Sequence, residues 1–330
     1  MAGTPQHFAP PGPLGFGGAP LGNMFNRVDE ETAEGALVAA WESGIRYFDT
    51  APMYGCGLSE HRFGRVLRRY NRDEYVLSTK VGRLLIPDPK APDTLGPFIG
   101  VLPFQVRYDY SADGTRRSIE DSLQRLGVGR IDIAYIHDVA EDHHGAGWTE
   151  VFSTAMKGAA RELSRLRDQG LIRAWGLGVN RVEACQRALE ESDPDVFLLA
   201  GRYSLLDLGA LDTLFPACAA RGVKVVVGGP YNSGLLAGGS TFEYAEAPRE
   251  QVAARDRIAA VCRQHGVDIK AAALQFCAAH PVVASVIPGA KSGQRVRQNV
   301  ELMRQPIPAS FWKALKQEGI LPAHAPTPGN

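Results

Sequence analysis

Only five cysteines occur in the 330 residues, and Cys56, Cys185, Cys218, Cys262 and Cys277 stand far apart with no C-x-x-C pair. Such scarcity argues against a disulfide framework and a zinc knuckle, and points to a reducing compartment. Net charge is also lacking, because 36 basic side chains balance 36 acidic ones. A broad electrostatic pull toward nucleic acid or an anionic membrane is therefore not expected. No apolar run approaches the roughly 18–20 residues that a membrane span requires, and the opening MAGTPQHFAPPGPLG has no basic stretch followed by an apolar one. These absences leave a cytoplasmic protein acting on a small, uncharged or polar molecule, as a monomer or small homo-oligomer. Repeats, linkers and low-complexity tracts are missing too. Residues 1–330 are thus expected to form one domain, with 1–13 as a lead-in and 302–330 as a C-terminal helix and tail.

What is present is alternation. Short β-branched or aromatic runs at 14–17, 45–49, 75–80, 131–137, 172–178, 196–200, 223–228 and 283–287 give eight candidate strands. Helical stripes separate them: Ala33, Ala36, Leu37, Ala40 and Trp41; Ile119, Leu123 and Leu126; Met156, Ala159, Ala160, Leu163 and Leu166; Leu211, Leu214, Phe215 and Cys218. Gly44, Gly127, Gly170, Gly222 and Gly266 stand where helices should end. Strands apolar on both faces and alternating with helices predict an α/β fold, a closed (β/α)8 TIM barrel. The rival is a doubly wound open sheet. It is weakened because LGFGGAPLGN at 14–23 is glycine-rich without the G-x-G-x-x-G spacing that opens a dinucleotide-binding helix. Two connections are long, 82–111 and 138–154, and each follows a strand, which places them at the C-terminal face of a barrel as binding loops.

The chemistry follows from position. Asp49 closes the second candidate strand, Lys80 the third and His137 the fourth, while Tyr54 lies in the loop after Asp49. Strand carboxyl ends converge at one mouth of a barrel, so these four can surround one pocket. A tyrosine titrates near about pH 10, and a neighbouring ammonium such as Lys80 favours its phenolate. Asp49 would hold Lys80 oriented, and His137 could donate to an oxygen that becomes alkoxide-like. Such a quartet suits reduction of a carbonyl or oxidation of an alcohol. Two other readings stand beside it: an aldolase-like barrel with Lys80 as nucleophile, and a regulatory subunit that binds a cofactor without turnover.

FDTAPMYG at 48–55, LSTKVG at 77–82 and AYIHD at 134–138 resemble the three catalytic blocks of the aldo-keto reductase family, in the same order. The resemblance implies a barrel that carries NAD or NADP across its mouth without a Rossmann motif, needs no metal, and has Tyr54, Lys80, Asp49 and His137 as its catalytic tetrad. By the same resemblance GLGVN at 176–180, GGPYNSGLL at 228–236 and IPGAKSGQRVRQN at 287–299 would hold the cofactor, with Asp49, Asn180, Pro230, Leu235, Gly289, Lys291, Arg295 and Asn299 as contacts. This chain departs from the family pattern at several of these places. Gly178 and Val179 replace a Ser-Asn pair, Ala200 a glutamine and Gly228 a stacking aromatic. Gly289 stands where many NADP-specific members carry lysine, which favours NAD or dual use. LLAGRYSLLD at 198–207 and IHDVAEDHH at 136–144 resemble a branch of aldose, L-galactose and pyridoxal dehydrogenases. That likeness implies oxidation of an aldose such as L-fucose, L-galactose or D-arabinose at its anomeric carbon. Tyr54, His137 and Trp148 would meet the substrate, with His143 and His144 as further candidates and Arg83 facing either substrate or solvent.

Overall fold

In the computed structural model, residues 7–329 are described; of the expected lead-in 1–13, residues 1–6 lie outside them. Eight parallel strands form one sheet: β1 (Phe16–Gly17), β2 (Tyr47–Asp49), β3 (Val76–Val81), β4 (Ile133–His137), β5 (Ala174–Val179), β6 (Val196–Ala200), β7 (Lys224–Gly228) and β8 (Val283–Ile287). The sheet closes on itself. Gly15 donates to the Val286 carbonyl at 2.9 Å, Val286 donates to that of Pro13 at 2.9 Å, and bridges join Leu14 to Val286 and Gly17 to Gly289. Helices between successive strands cover the outside, among them Glu30–Glu42, Leu58–Leu67, Ala112–Leu126 and Val182–Glu191.

Strand periodicity sorts the side chains into two layers. Phe48, Leu77, Ala134 and Ile136 face outward and pack under the helices. Tyr47, Val76, Ile133, Tyr135, Ala174, Val196, Leu198, Val226 and Ile287 fill the barrel interior, with Phe8 packed against them. The same alternation turns Ser78 and Lys80 inward while Thr79 points out, where its hydroxyl donates to the fully buried Glu60 at 2.7 Å. Arg125 completes that carboxylate at 2.5 Å, tying the helix Ala112–Leu126 to Leu58–Leu67.

The long connections are more structured than their composition suggests. Residues 82–111 carry two antiparallel hairpins, Arg83–Pro87 with Phe104–Tyr108 and Thr94–Leu95 with Phe98–Ile99. The second connection is shorter than expected, since Glu141–His144 is a helical turn and the next helix begins at Trp148. That helix passes through a π-turn at Met156–Ala160 before continuing over Arg161–Asp168. Leu211, assigned above to a helical stripe, lies in the turn before the helix Leu214–Arg221.

Candidate active site

Asp49 and Ser78 are register partners on neighbouring strands and both point inward. The Ser78 hydroxyl accordingly donates to Asp49 Oδ1 at 2.6 Å. One inward step further along β3, the Lys80 ammonium donates to Asp49 Oδ2 at 2.7 Å and to the Thr50 carbonyl at 2.9 Å. Both members of this ion pair are buried, with side-chain exposures of 1% and 2%. Burial raises the Asp49 pKa, while Lys80 and Ser78 pull it back.

Tyr54 reaches the pair through a tight turn. Gly55, Cys56 and Gly57 all have positive φ. A Cβ on Gly22 would come within 2.5 Å of the Tyr54 backbone, so only glycine lets the two loops approach this closely. The Tyr54 ring stacks on Phe98 at 5.7 Å and meets the His137 ring edge-on at 6.0 Å. The Lys80 Nζ lies 4.8 Å from its centroid. The four expected residues thus cluster together, although only Asp49 and Tyr54 line a cavity and Lys80 and His137 are buried behind them. The expected acidification of the phenol does not follow from its surroundings, however. Burial drives the Tyr54 pKa well above its ordinary value, and the carboxylates of Asp49 and Asp138 add to the rise. Lys80 directs its hydrogen bonds to Asp49 and Thr50, and among the described residues none joins it to the Tyr54 hydroxyl.

His137 ends β4 with its ring held from below by Arg83. The guanidinium lies 2.9 Å from His137 Nδ1 and 2.6 Å from Asp138 Oδ2. A guanidinium has no lone pair to offer, so Nδ1 accepts and the ring proton sits on Nε2. Burial, then Arg83 and Lys80, hold the His137 pKa well below the usual imidazole range, which keeps the ring neutral. Arg83 itself is 2% exposed. Burial works against its charge, but Asp138 and the phenol of Tyr108 outweigh that and raise its pKa. Arg83 therefore does not face solvent, and it lines neither of the cavities beside these groups. Asp138 sits in a left-handed backbone conformation, φ 51°, and also takes His143 Nε2 at 3.2 Å.

Two adjoining cavities open beside these groups. The longer, about 350 Å³, runs from Asp49 and Tyr54 past Gly228 and Pro230 to Gly289, Lys291 and Arg295. Its floor is small-residued, with Gly17, Gly18, Ala200, Gly228 and Gly229 along it. Lys291 and Arg295 have no acidic partner among the described residues, so two cations stand ready for an anion at the far end. An extended, glycine-floored groove with cations at one end and Asp49 and Tyr54 at the other fits a nicotinamide dinucleotide. The second cavity, about 310 Å³, is lined by Asp142, His143, Asn180, Arg202, Glu243 and Tyr244, among others. It shares Ala200, Gly229, Ser233 and Tyr244 with the first.

Of the expected cofactor contacts, Asp49, Pro230, Gly289, Lys291 and Arg295 line the groove and Asn180 lines the second cavity, its amide donating to Asp142 at 3.0 Å. Leu235 and Asn299 line neither: Leu235 is buried, and Asn299 accepts from the Tyr231 hydroxyl at 2.9 Å. Trp148 packs edge-on against Phe152 at 6.0 Å, away from both cavities, because its helix begins there and turns the ring onto the core. The two adjacent histidines diverge. His143 joins Asp138, whereas His144 packs against Tyr108 and Tyr110. Tyr244 went unrecognised in the sequence. It sits with Glu243 at the tip of the hairpin Thr241–Phe242 and Ala245–Glu246, both at positive φ, and Glu243 pairs with Arg202.

The aldo/keto reductase family model matches residues 13–319. The chain is 42% identical to pyridoxal 4-dehydrogenase of Microbacterium luteolum, over 93% of this chain and 94% of that one. It is 39% identical to D-threo-aldose 1-dehydrogenase of a Pseudomonas species, over 94% of each, and 30% identical to L-galactose dehydrogenase of Arabidopsis thaliana, over 87% of this chain and 82% of that one. Among solved structures, an aldo-keto reductase from Bacillus halodurans in its holo form superposes with a TM-score of 0.72 at 26% identity, covering 92% of this chain and 91% of that one.

Proposed function

The chain belongs to the aldo/keto reductase family, an NAD(P)-dependent oxidoreductase close to aldose and pyridoxal dehydrogenases, and from that premise we propose that it oxidises a cyclic hemiacetal to a lactone. The substrates named for its relatives motivate this class. An aldose closes on its own hydroxyl, and pyridoxal closes on the hydroxymethyl group beside its aldehyde, so both present a ring carbon bearing one hydrogen and one hydroxyl. The observation that carries the reading is the clustering of Lys80 and His137 around Tyr54 and Asp49, which stand at the head of one groove.

In this reading Tyr54, as phenolate, takes the hemiacetal hydroxyl proton while the ring C–H departs as hydride and the C–O bond becomes the lactone carbonyl. The bound nicotinamide supplies the hydride acceptor. His137 donates from Nε2 to the same oxygen and steadies its developing charge. Lys80, fixed by Asp49, provides a positive charge beside the ring of Tyr54. The polar cavity with Asp142, His143, Asn180 and Arg202 offers donors and acceptors to ring hydroxyls. The groove favours NAD or both cofactors, because a side chain at Gly289 would meet Pro20 Cγ at 2.7 Å and leaves no room for a lysine there.

An aldolase-like role for Lys80 is disfavoured, since an ammonium donating to both Asp49 and the Thr50 carbonyl has no lone pair to attack a carbonyl. The test is a panel of L-fucose, L-galactose, D-arabinose and pyridoxal with each cofactor, following reduced nicotinamide and identifying the lactone by mass. Activity confined to open-chain aldehydes with no ring form would overturn the proposal.

A further inference from the structure

Beneath the ion pair three hydroxyls of the barrel interior lie side by side where the surrounding residues are almost all apolar. Tyr47, Ser78 and Tyr135 come from β2, β3 and β4, and each is 0% exposed. Their neighbours in this layer are Val76, Ile133, Ala174, Val196, Leu198, Val226 and Ile287. Phenylalanine or valine would fill the same space without the penalty that a buried hydroxyl carries until it is hydrogen-bonded.

The hydroxyls are bonded in sequence. The Tyr135 and Tyr47 hydroxyls lie 3.1 Å apart, those of Tyr47 and Ser78 3.0 Å, and Ser78 Oγ is 2.6 Å from Asp49 Oδ1. Proton counting fixes the direction. A hydroxyl has one proton to donate, and a carboxylate can only accept. Ser78 gives its proton to Asp49 and must accept from Tyr47. Tyr47 has then used its own proton and must accept from Tyr135. Every O–H dipole in the chain points at the carboxylate, and such chains polarise one another along their length. Burial raises the pKa of both tyrosines, so both remain donors.

We propose that Tyr135, Tyr47 and Ser78 form a one-way hydrogen-bond chain through the barrel core that holds Asp49 ionised and thereby fixes the Lys80 ammonium beside Tyr54. The three are positioning residues: none touches the groove that receives substrate and cofactor. The proposal rests on the reading of Asp49, Lys80 and Tyr54 as catalytic. The other titratable groups around Asp49 are Lys80 from β3 and Tyr54 from the loop after β2, with His137 beyond Lys80 on β4; β1 brings only Phe16 and Gly17.

The test reads Asp49 directly, so that it stands even if no substrate is found. The holoenzyme, loaded with oxidised cofactor, is prepared with carbon-labelled aspartate, and the Asp49 carboxyl signal is identified by its loss in Asp49→Asn and titrated by NMR. Ser78→Ala moves the Asp49 titration to higher pH by about one unit, a tenfold change in proton affinity, as expected for losing a hydrogen bond to a charged group. Tyr47→Phe moves it less and Tyr135→Phe least, because each removes a more distant dipole. Fluorotyrosine at position 47, a stronger donor of nearly the same size, moves it to lower pH and guards against loss of fold in the other variants. With substrate, kcat falls in the same order while the cofactor dissociation constant holds. Equal shifts from all three deletions, or an unmoved Asp49 titration in both position-47 variants, would overturn the chain. Loss of turnover with the graded shift intact would instead count against the catalytic reading.

Discussion

Replacing Arg83 by methionine tests whether the imidazole of His137, in its proposed catalytic role, is set by a buried cation. The side chain is 2% exposed and its partner Asp138 11%, with Nη1 at 2.6 Å from the carboxylate. Removing one partner of a buried pair leaves the other uncompensated, a loss of about 3–5 kcal/mol in stability. The catalytic effect is separate. Without the donor at Nδ1, His137 loses what fixes its proton on Nε2, and Asp138, already 3.4 Å from Nε2, becomes the nearest strong acceptor. A ring that turns toward Asp138 no longer presents a donor to the substrate oxygen. Loss of one such donor lowers kcat by roughly 10²–10³-fold, or about 2.7–4 kcal/mol. The pH response has a definite sign. Arg83 ranks after burial among the causes that depress the His137 pKa, so its removal lets that pKa climb. An acid limb in kcat should then move to higher pH. The assay pairs urea unfolding with kcat profiles for Arg83→Met, Arg83→Lys and the double variant Arg83→Met/Asp138→Leu, which removes the orphaned charge. Stability should return in the double variant while kcat stays low. If the single variant keeps kcat within about twofold of the parent, the orientation of His137 does not depend on Arg83 and the reasoning fails.

Three further predictions concern the groove. Tyr54→Phe should lower turnover by about 10²–10⁴-fold while leaving fluorescence-monitored cofactor binding unchanged, and surviving activity would assign the proton to another group. Because oxidation uses the Tyr54 phenolate and reduction of an aldehyde uses the phenol, oxidation should climb with pH whereas reduction should not; an oxidation rate that falls with rising pH contradicts this. Lys291→Ala should weaken binding of the dinucleotide by roughly three- to tenfold, with the deficit shrinking as salt is added, as for any partly exposed charge contact. An effect independent of ionic strength would place the lysine away from phosphate.

The parts of this molecule that were legible in sequence are those governed by short-range periodicity. Strands at 196–200 and 283–287 have the expected bounds, and the others shift by two residues or fewer at either end, because a strand buried on both faces leaves an unbroken apolar run. Asp49, Lys80 and His137 were readable because a barrel gathers its strand ends at one mouth, so position along a strand becomes position in space. Arg83 was not. Its sequence neighbours suggest a solvated cation after a strand, and only the hairpin Arg83–Pro87 with Phe104–Tyr108 folds it under His137. The hairpin that carries Tyr244 was invisible for a related reason. A two-residue turn with positive φ at both central positions usually advertises itself by Asn-Gly or Asp-Gly, and here Glu243 and Tyr244 hold those places.

The placement of charge explains why the site tolerates so much burial. A lone carboxylate or ammonium inside a barrel would neutralise rather than stay ionised. Asp49 and Lys80 avoid this through extra partners as well as each other, since Ser78 donates to one and the Thr50 carbonyl accepts from the other. Arg83 and Asp138 repeat the arrangement one strand away, with His137 Nδ1 taking a second hydrogen bond from the guanidinium and His143 approaching the carboxylate. Two neutral pairs thus flank Tyr54 and His137, and burial holds both groups toward their neutral forms. Any positive charge brought into the groove will therefore act on the Tyr54 phenol with little competition, through low-dielectric surroundings that strengthen it. An oxidised nicotinamide ring carries such a charge and the reduced ring does not. The Tyr54 pKa should consequently fall on binding the oxidised cofactor and stay high with the reduced one, which would ready the base for oxidation and the acid for reduction without any movement of the protein.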